Sequence, residues 1–201
     1  MIVLALLPPA LISLVSELRG QHTDRIYDLF TGMEMAHDQP IAPNATFVNI
    51  TVTKLDGANG IASLTLSGHR ICPALCPELT GTLYSLGNDS ARRHGMPPSA
   101  SVTVPGNPGS YTYAIELPVR ALPQNYPFDT YTLVLGLIIE ATFPNGTKQL
   151  VDSREVVRQS AVLTLEDRVA RLNMLPPAPI EPESVRAPSD PYSFLVVDEL
   201  R

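Results

Sequence analysis

Between Phe47 and Val162 apolar and polar residues alternate in short runs separated by turn-forming residues. In Phe47 to Lys54, Val48, Ile50 and Val52 fall on one side, the period-two signature of a half-buried strand. Leu55-Asp56-Gly57-Ala58-Asn59-Gly60 then offers Asp-Gly and Asn-Gly, which supply the positive φ that tight hairpins need. Ala62, Leu64 and Leu66 form the inward face of the returning strand. Further strands are predicted at Thr80 to Leu86 and Ser101 to Val104, on either side of a polar loop from Gly87 to Ala100. After the turn Pro105 to Ser110, Tyr111, Tyr113, Ile115, Leu117 and Val119 alternate with polar or small residues. Tyr131 to Phe143 is apolar on both faces, which fits a central strand. Its β-branched residues and Gly136 favour strand over helix. Pro144-Asn145-Gly146-Thr147 is a hairpin turn, with Lys148 to Val162 as the return.

Outside this region the periodicity changes. Thr164-Leu165-Glu166-Asp167 has the character of a helix start, with Leu165, Val169 and Leu172 at helical spacing. Pro176 to Pro191 is proline-rich and extended, and the apolar patch Tyr192 to Val197 is suited to docking as an edge strand. Arg19 to Pro43 reads as a polar linker or edge segment, with weak helical potential from Asp24 to Met35. Met1 to Ser16 carries no charged side chain, and the first ionisable one is Glu17. This run is at the short end for a bilayer span, which takes ~20 apolar residues, and lacks the basic start of a secretion signal. It reads as a membrane-targeting or anchoring segment, against the alternative of a buried terminal strand or helix. The pattern therefore predicts a mainly β fold: an antiparallel β-sandwich, immunoglobulin-like in architecture, with an N-terminal apolar helix and a proline-rich C-terminal tail. The expected bounds are 1–18 for the signal or anchor, 19–43 for the linker, 44–163 for the sandwich, 164–175 for a short helix and 176–201 for the tail.

Composition narrows the classes. The 201 residues are 44% hydrophobic, enough for a real core. The 20 prolines, about twice the usual ~5%, argue against long helices. Net charge is −6 and no lysine or arginine cluster stands out, so nucleic acid is not an expected partner.

Four Asn-x-Ser/Thr triplets, at Asn44, Asn49, Asn88 and Asn145, have a non-proline middle residue and are candidate glycan acceptors. Asn49 is out of phase with Val48, Ile50 and Val52, so it should face solvent. The plainer reading is that these are ordinary turn asparagines. The only cysteines, Cys72 and Cys76, lie in Cys-Pro-Ala-Leu-Cys-Pro. Three readings remain open: a short-loop disulfide in an oxidising compartment, a copper or thiol-redox site with His69, or two unpaired thiols. The copper reading rests on a similarity to the Sco-type copper-chaperone motif, whose thioredoxin fold needs alternating strands and helices.

The most distinctive stretch runs from Leu122 to Tyr131. Tyr126-Pro127 favours a tight corner. Phe128 would plug the core, Asp129 would accept backbone N–H bonds, and Tyr131 opens the long apolar strand. This Tyr-Pro-Phe-Asp-x-Tyr string, preceded by an alternating strand, resembles the membrane proteins grouped as domain of unknown function 4436. The resemblance covers roughly Phe47 to Val162. It implies an N-terminal membrane segment and an extracytosolic β-domain, with no established activity. Members usually carry several C-terminal transmembrane helices, and no segment after Val162 is long and apolar enough for one. A similar string occurs in the β-sandwich of pentameric ligand-gated channels. There it ends a cysteine-bounded loop, whereas Cys72 and Cys76 lie far upstream here.

No phosphate loop, nucleophile elbow or His-Glu-x-x-His pair occurs, and His22, His37, His69 and His94 are scattered. Glu166-Asp167 reads as helix capping. The expectation is a non-enzymatic, extracytosolic or secreted domain of a membrane-associated glycoprotein. It would need no cofactor and bind a protein or glycan partner, with copper handling or thiol redox through Cys72, Cys76 and His69 as the alternative.

Overall fold

A computed structural model describes residues 25–36, 46–72, 76–85, 99–122, 130–151, 154–169, 174–179 and 194–200. In chain order the elements are β1 (Ile26–Asp28), β2 (Glu34–Met35), β3 (Thr46–Asp56), β4 (Ile61–Arg70), β5 (Glu78–Ser85), β6 (Ser99–Val104) and β7 (Gly109–Pro118). They continue with β8 (Arg120–Leu122), β9 (Thr130–Thr142), β10 (Lys148–Val151), α1 (Arg154–Ser160), β11 (Ala161–Asp167), β12 (Ala178–Pro179) and β13 (Phe194–Leu200). The fold is mainly β, in two mostly antiparallel sheets, neither closed into a barrel. One sheet runs β2-β1-β11-β3-β4-β7 and the other β12-β13-β9-β5-β6. Strand β9 is long enough to take two partners on each edge. One edge carries β8 at Thr130–Thr132 and β5 at Leu135–Thr142; the other carries β13 at Tyr131–Leu137 and β10 at Ile139–Thr142.

The shared core follows from period-two burial. Val52, Leu64, Leu117 and Leu165 of the first sheet meet Leu83 and Leu133 of the second, all at most 2% exposed. Each contributes about 1.5–3 kcal/mol by leaving water. The β3–β4 hairpin forms as the sequence predicts. Asp56 Oδ1 accepts the Asn59 N–H at 3.1 Å, and Gly60 takes φ 65°. Gly57 does not use positive φ. Its missing side chain makes room for the Tyr131 ring, whose hydroxyl would collide with a β-carbon there.

Several expectations are overturned. Of the two readings of 19–43, linker or edge segment, residues 25–36 follow the second: β1 and the outermost β2 extend the first sheet, and Tyr27 and Leu29 are each 1% exposed in the core, which a linker would not be. Asp28 Oδ1 accepts the N–H groups of Phe30 and Thr31, and Gly32 at φ 70° closes the turn, so the weak helical pattern yields to turn chemistry. The returning strand expected over Lys148 to Val162 stops at Val151 and is followed by α1. The helix expected at 164–175 is absent from its start, since Thr164 to Asp167 belongs to β11. Helical spacing of Leu165 and Val169 loses to alternation: Leu163 and Leu165 enter the core while Thr164 and Glu166 face the other way. Glu166 and Asp167, expected as solvated caps, are 4% and 5% exposed. The docking expected of Tyr192 to Val197 is seen from Phe194 to Leu200, where β13 pairs with seven residues of β9; residues 180–193 lie outside the described residues.

The proposed N-terminal helix and anchor (1–18) lie outside the described residues. Among the described residues no helix is long and apolar enough to cross a membrane.

Candidate functional site at the disulfide pole

At one end of the molecule β4 runs out through Arg70 into the cysteine loop. The Cys72 and Cys76 sulfurs lie at bonding distance with Cα atoms 6.2 Å apart, a disulfide-capable pair. Arg70, only 5% exposed, points inward from the last position of β4 and binds this loop to the neighbouring turn. Its Nη1 donates to the carbonyls of Val104 (3.2 Å) and Pro105 (2.7 Å), and Nη2 donates to that of Pro77 (2.5 Å). One planar guanidinium thus satisfies three carbonyls from two separate nitrogens, a spread that an ammonium, with its three donors on one atom, lacks. Burial disfavours its charge, pulling its pKa below the ordinary arginine range against the influence of Tyr111. Gly106 fits here because a β-carbon would strike the Cys76 carbonyl oxygen.

His69 is not brought to the cysteines. It is exposed, on the opposite face of β4 from Arg70, with Nδ1 3.1 Å from Ser110 Oγ. Among the described residues no three His, Cys, Asp or Glu side chains converge to hold a metal. The copper alternative therefore lacks its third ligand there.

Cover on the inner faces dips near this pole and returns at Ala141 (6% exposed) on β9 and at Val102 and Val104 (5% and 9%) on β6. On β9, Leu133 and Leu135 are 0% and 3% exposed, while Leu137 and Ile139, next on the same face, are half-buried. The same loss of cover runs from Val52 and Ile50 to Val48 on β3, from Leu117 and Ile115 to Tyr113 and Tyr111 on β7, and from Leu83 to Leu79 on β5. Between the two sheets lies an apolar cavity of about 90 Å³, reaching from Val48 and Leu163 to Val102 and Leu137. It adjoins a wider surface crevice of about 340 Å³ bordered by Arg70, Cys76 and Val156. Thr46, Leu79, Ile139, Val157 and Ala161 line both spaces. Tyr111 reaches into the cavity, and burial pushes its hydroxyl up to about 12, with Arg70 opposing and Tyr113 reinforcing.

A second polar cluster lies on the outer face of the first sheet. The parallel pairing of β11 with β3 sets Thr164 beside Asn49 and Glu166 beside Thr51. Asn49 Nδ2 donates to Glu166 Oε2 at 2.7 Å, Thr51 Oγ1 donates to the same oxygen at 3.0 Å, and Thr164 Oγ1 donates to Asn49 Oδ1 at 2.8 Å. Arg168 closes the group on Glu166 Oε1 at 2.8 Å. Burial pushes the Glu166 pKa up, but the bonds from Asn49, Arg168 and Thr51 and the Arg168 charge together bring it below the ordinary range. This corrects the reading of Asn49 as a solvent-facing acceptor. It does oppose the core, yet it is half-buried and its amide nitrogen is committed to Glu166 and Thr51.

Asn145 is different. It is exposed at the β9–β10 turn, where its Oδ1 accepts the Thr147 N–H at 2.9 Å and Gly146 takes φ 82°. Asn44 and Asn88 lie outside the described residues, as do Tyr126, Pro127, Phe128 and Asp129 of the expected corner. Tyr131 is described and is 8% exposed in the core. Sequence reasoning missed Arg70 and Glu166, because each draws its role from strands far away in the chain. No family model matches the chain, and no curated protein or solved structure does.

Proposed function

We propose that this chain is the extracytosolic β-sandwich domain, immunoglobulin-like in architecture, of a membrane-associated glycoprotein. In this reading it acts as a structural or interaction module toward a protein or glycan, not as an enzyme. The Cys72–Cys76 pair carries the reading, since paired thiols persist in oxidising compartments and are rare where glutathione keeps thiols reduced. The exposed Asn145 turn, which presents a sequon to solvent, supports it. The uncharged run Met1 to Ser16 and the resemblance at Tyr126 to Tyr131 to the domain of unknown function 4436 proteins support attachment to a membrane.

The test is secretion of the full chain from a eukaryotic host, followed by glycosidase digestion and by thiol blocking without reductant. The expected product loses mass on digestion and has no alkylated cysteine. Asn145→Gln removes one glycan, and Asn49→Gln removes none. Unglycosylated protein with both cysteines alkylated would sink the proposal.

A further inference from the structure

The cavity and crevice near the disulfide pole combine three features. Among the described residues, the lining of the inner cavity is almost wholly apolar, the cavity shares walls with a wider crevice, and the one cationic residue lining either space, Arg70, borders the crevice only. A dry cavity of about 150 Å³ holds the six carbons of benzene, so a 90 Å³ space is too narrow for a ring and takes only the last few carbons of an unbranched chain. The adjoining 340 Å³ crevice falls within the range of ligand sites, roughly 300–1,000 Å³. Val156, 50% exposed on α1, adds apolar surface at the rim. Arg70 is a buried cation whose hydrogen bonds, among the described residues, all go to neutral carbonyls. Such a charge is left favouring an anion nearby.

We propose that this crevice binds a single-chain anionic amphiphile, with the end of the hydrocarbon tail between the two sheets, the rest of the tail along the crevice and the acidic head at Arg70. The tail would enter past Thr46, Leu79, Ile139, Val157 and Ala161, the residues common to both spaces. The inference rests on the crevice and not on the compartment, so a cytosolic location would leave it standing.

Gly81 offers a test that leaves the fold intact. It lies on β5 at the cavity wall, and a β-carbon there would meet Val102 Cγ2 at 3.7 Å and Leu137 Cδ1 at 3.9 Å, ordinary contact distances. Valine suits a strand and fills the space where the end of the tail would lie. The full chain is titrated calorimetrically with monomeric dodecanoate and, separately, with dodecyltrimethylammonium, which has the same tail and the opposite head. Dodecanoate should bind saturably at one site, and about tenfold or more tighter than the cation. Affinity should fall in the order wild type, Gly81→Ala, Gly81→Val, with thermal stability kept or raised. Alanine, the smaller change, keeps the series informative if valine disturbs folding. Neutral vesicles doped with dodecanoate tell the source of the chain: co-sedimentation abolished by Gly81→Val identifies a single-chain amphiphile held in a bilayer, and binding of monomers alone identifies a free one. No saturable binding, equal affinity for the two heads, or affinity unchanged across the Gly81 series overturns the proposal.

Discussion

Gly57 and Arg70 show how a residue's task can differ from the one its type announces. Asp-Gly in a turn points to positive φ, yet the Gly57 position is needed for its empty side-chain space, which the Tyr131 hydroxyl occupies. Gly57→Ala is expected to cost about 1–3 kcal/mol, as overpacking does. Without the Tyr131 hydroxyl, the nearest ring carbons would lie 3.2 Å from the new methyl. Tyr131→Phe should therefore recover part of the loss, and chemical denaturation of the four proteins of a double-mutant cycle should show a coupling of about 1 kcal/mol. Additive losses would mean that the alanine is tolerated by a backbone shift. Arg70 was equally hidden: an arginine two residues before a cysteine has no local signature of a three-carbonyl clasp.

At the scale of elements, the parallel β3–β11 pair departs most from an up-and-down meander. Its outer face is tied by Glu166, which receives Asn49, Thr51 and Arg168. The sign of its pH effect follows from the depressed folded pKa. The unfolded chain takes up the proton at higher pH than the folded one, so acid favours unfolding. Stability from Glu166 is complete above the ordinary glutamate pKa and is lost as pH falls through the folded value. Glu166→Gln should flatten this limb of the stability–pH curve, measured by urea unfolding from neutral pH downward. Parallel wild-type and variant curves would assign the acid limb to other carboxylates.

For the molecule as a whole, both ends of the described chain complete sheets: β1 and β2 extend the first, and β13 covers an edge of β9 in the second. Removing residues 194–201 would leave the Tyr131 to Leu137 stretch of β9 as an open apolar edge, which invites pairing between molecules. The expected outcome is a melting temperature lower by about 5 °C or more and faster aggregation on heating, followed by calorimetry and light scattering. An unchanged melting curve would show that β13 adds nothing to the fold.

The strands β3 to β7 and β9 and the hairpin at Asp56 to Gly60 were legible in the sequence, because each rests on period-two burial or on chemistry between residues close in the chain, whereas the sequence left three readings of the cysteines open. The pairing of β1 onto β11 and of β2 onto β1, the conversion of Thr164 to Asp167 from helix start to strand, and the engagement of Asn49 were decided by the tertiary structure. In each case the deciding partner is distant: Glu166 meets Asn49 117 positions away, and Tyr27 pairs with Leu165. Local pattern states which face of a segment avoids water. Only the packed sheets state what covers that face, and where, at the disulfide pole, nothing among the described residues fully does.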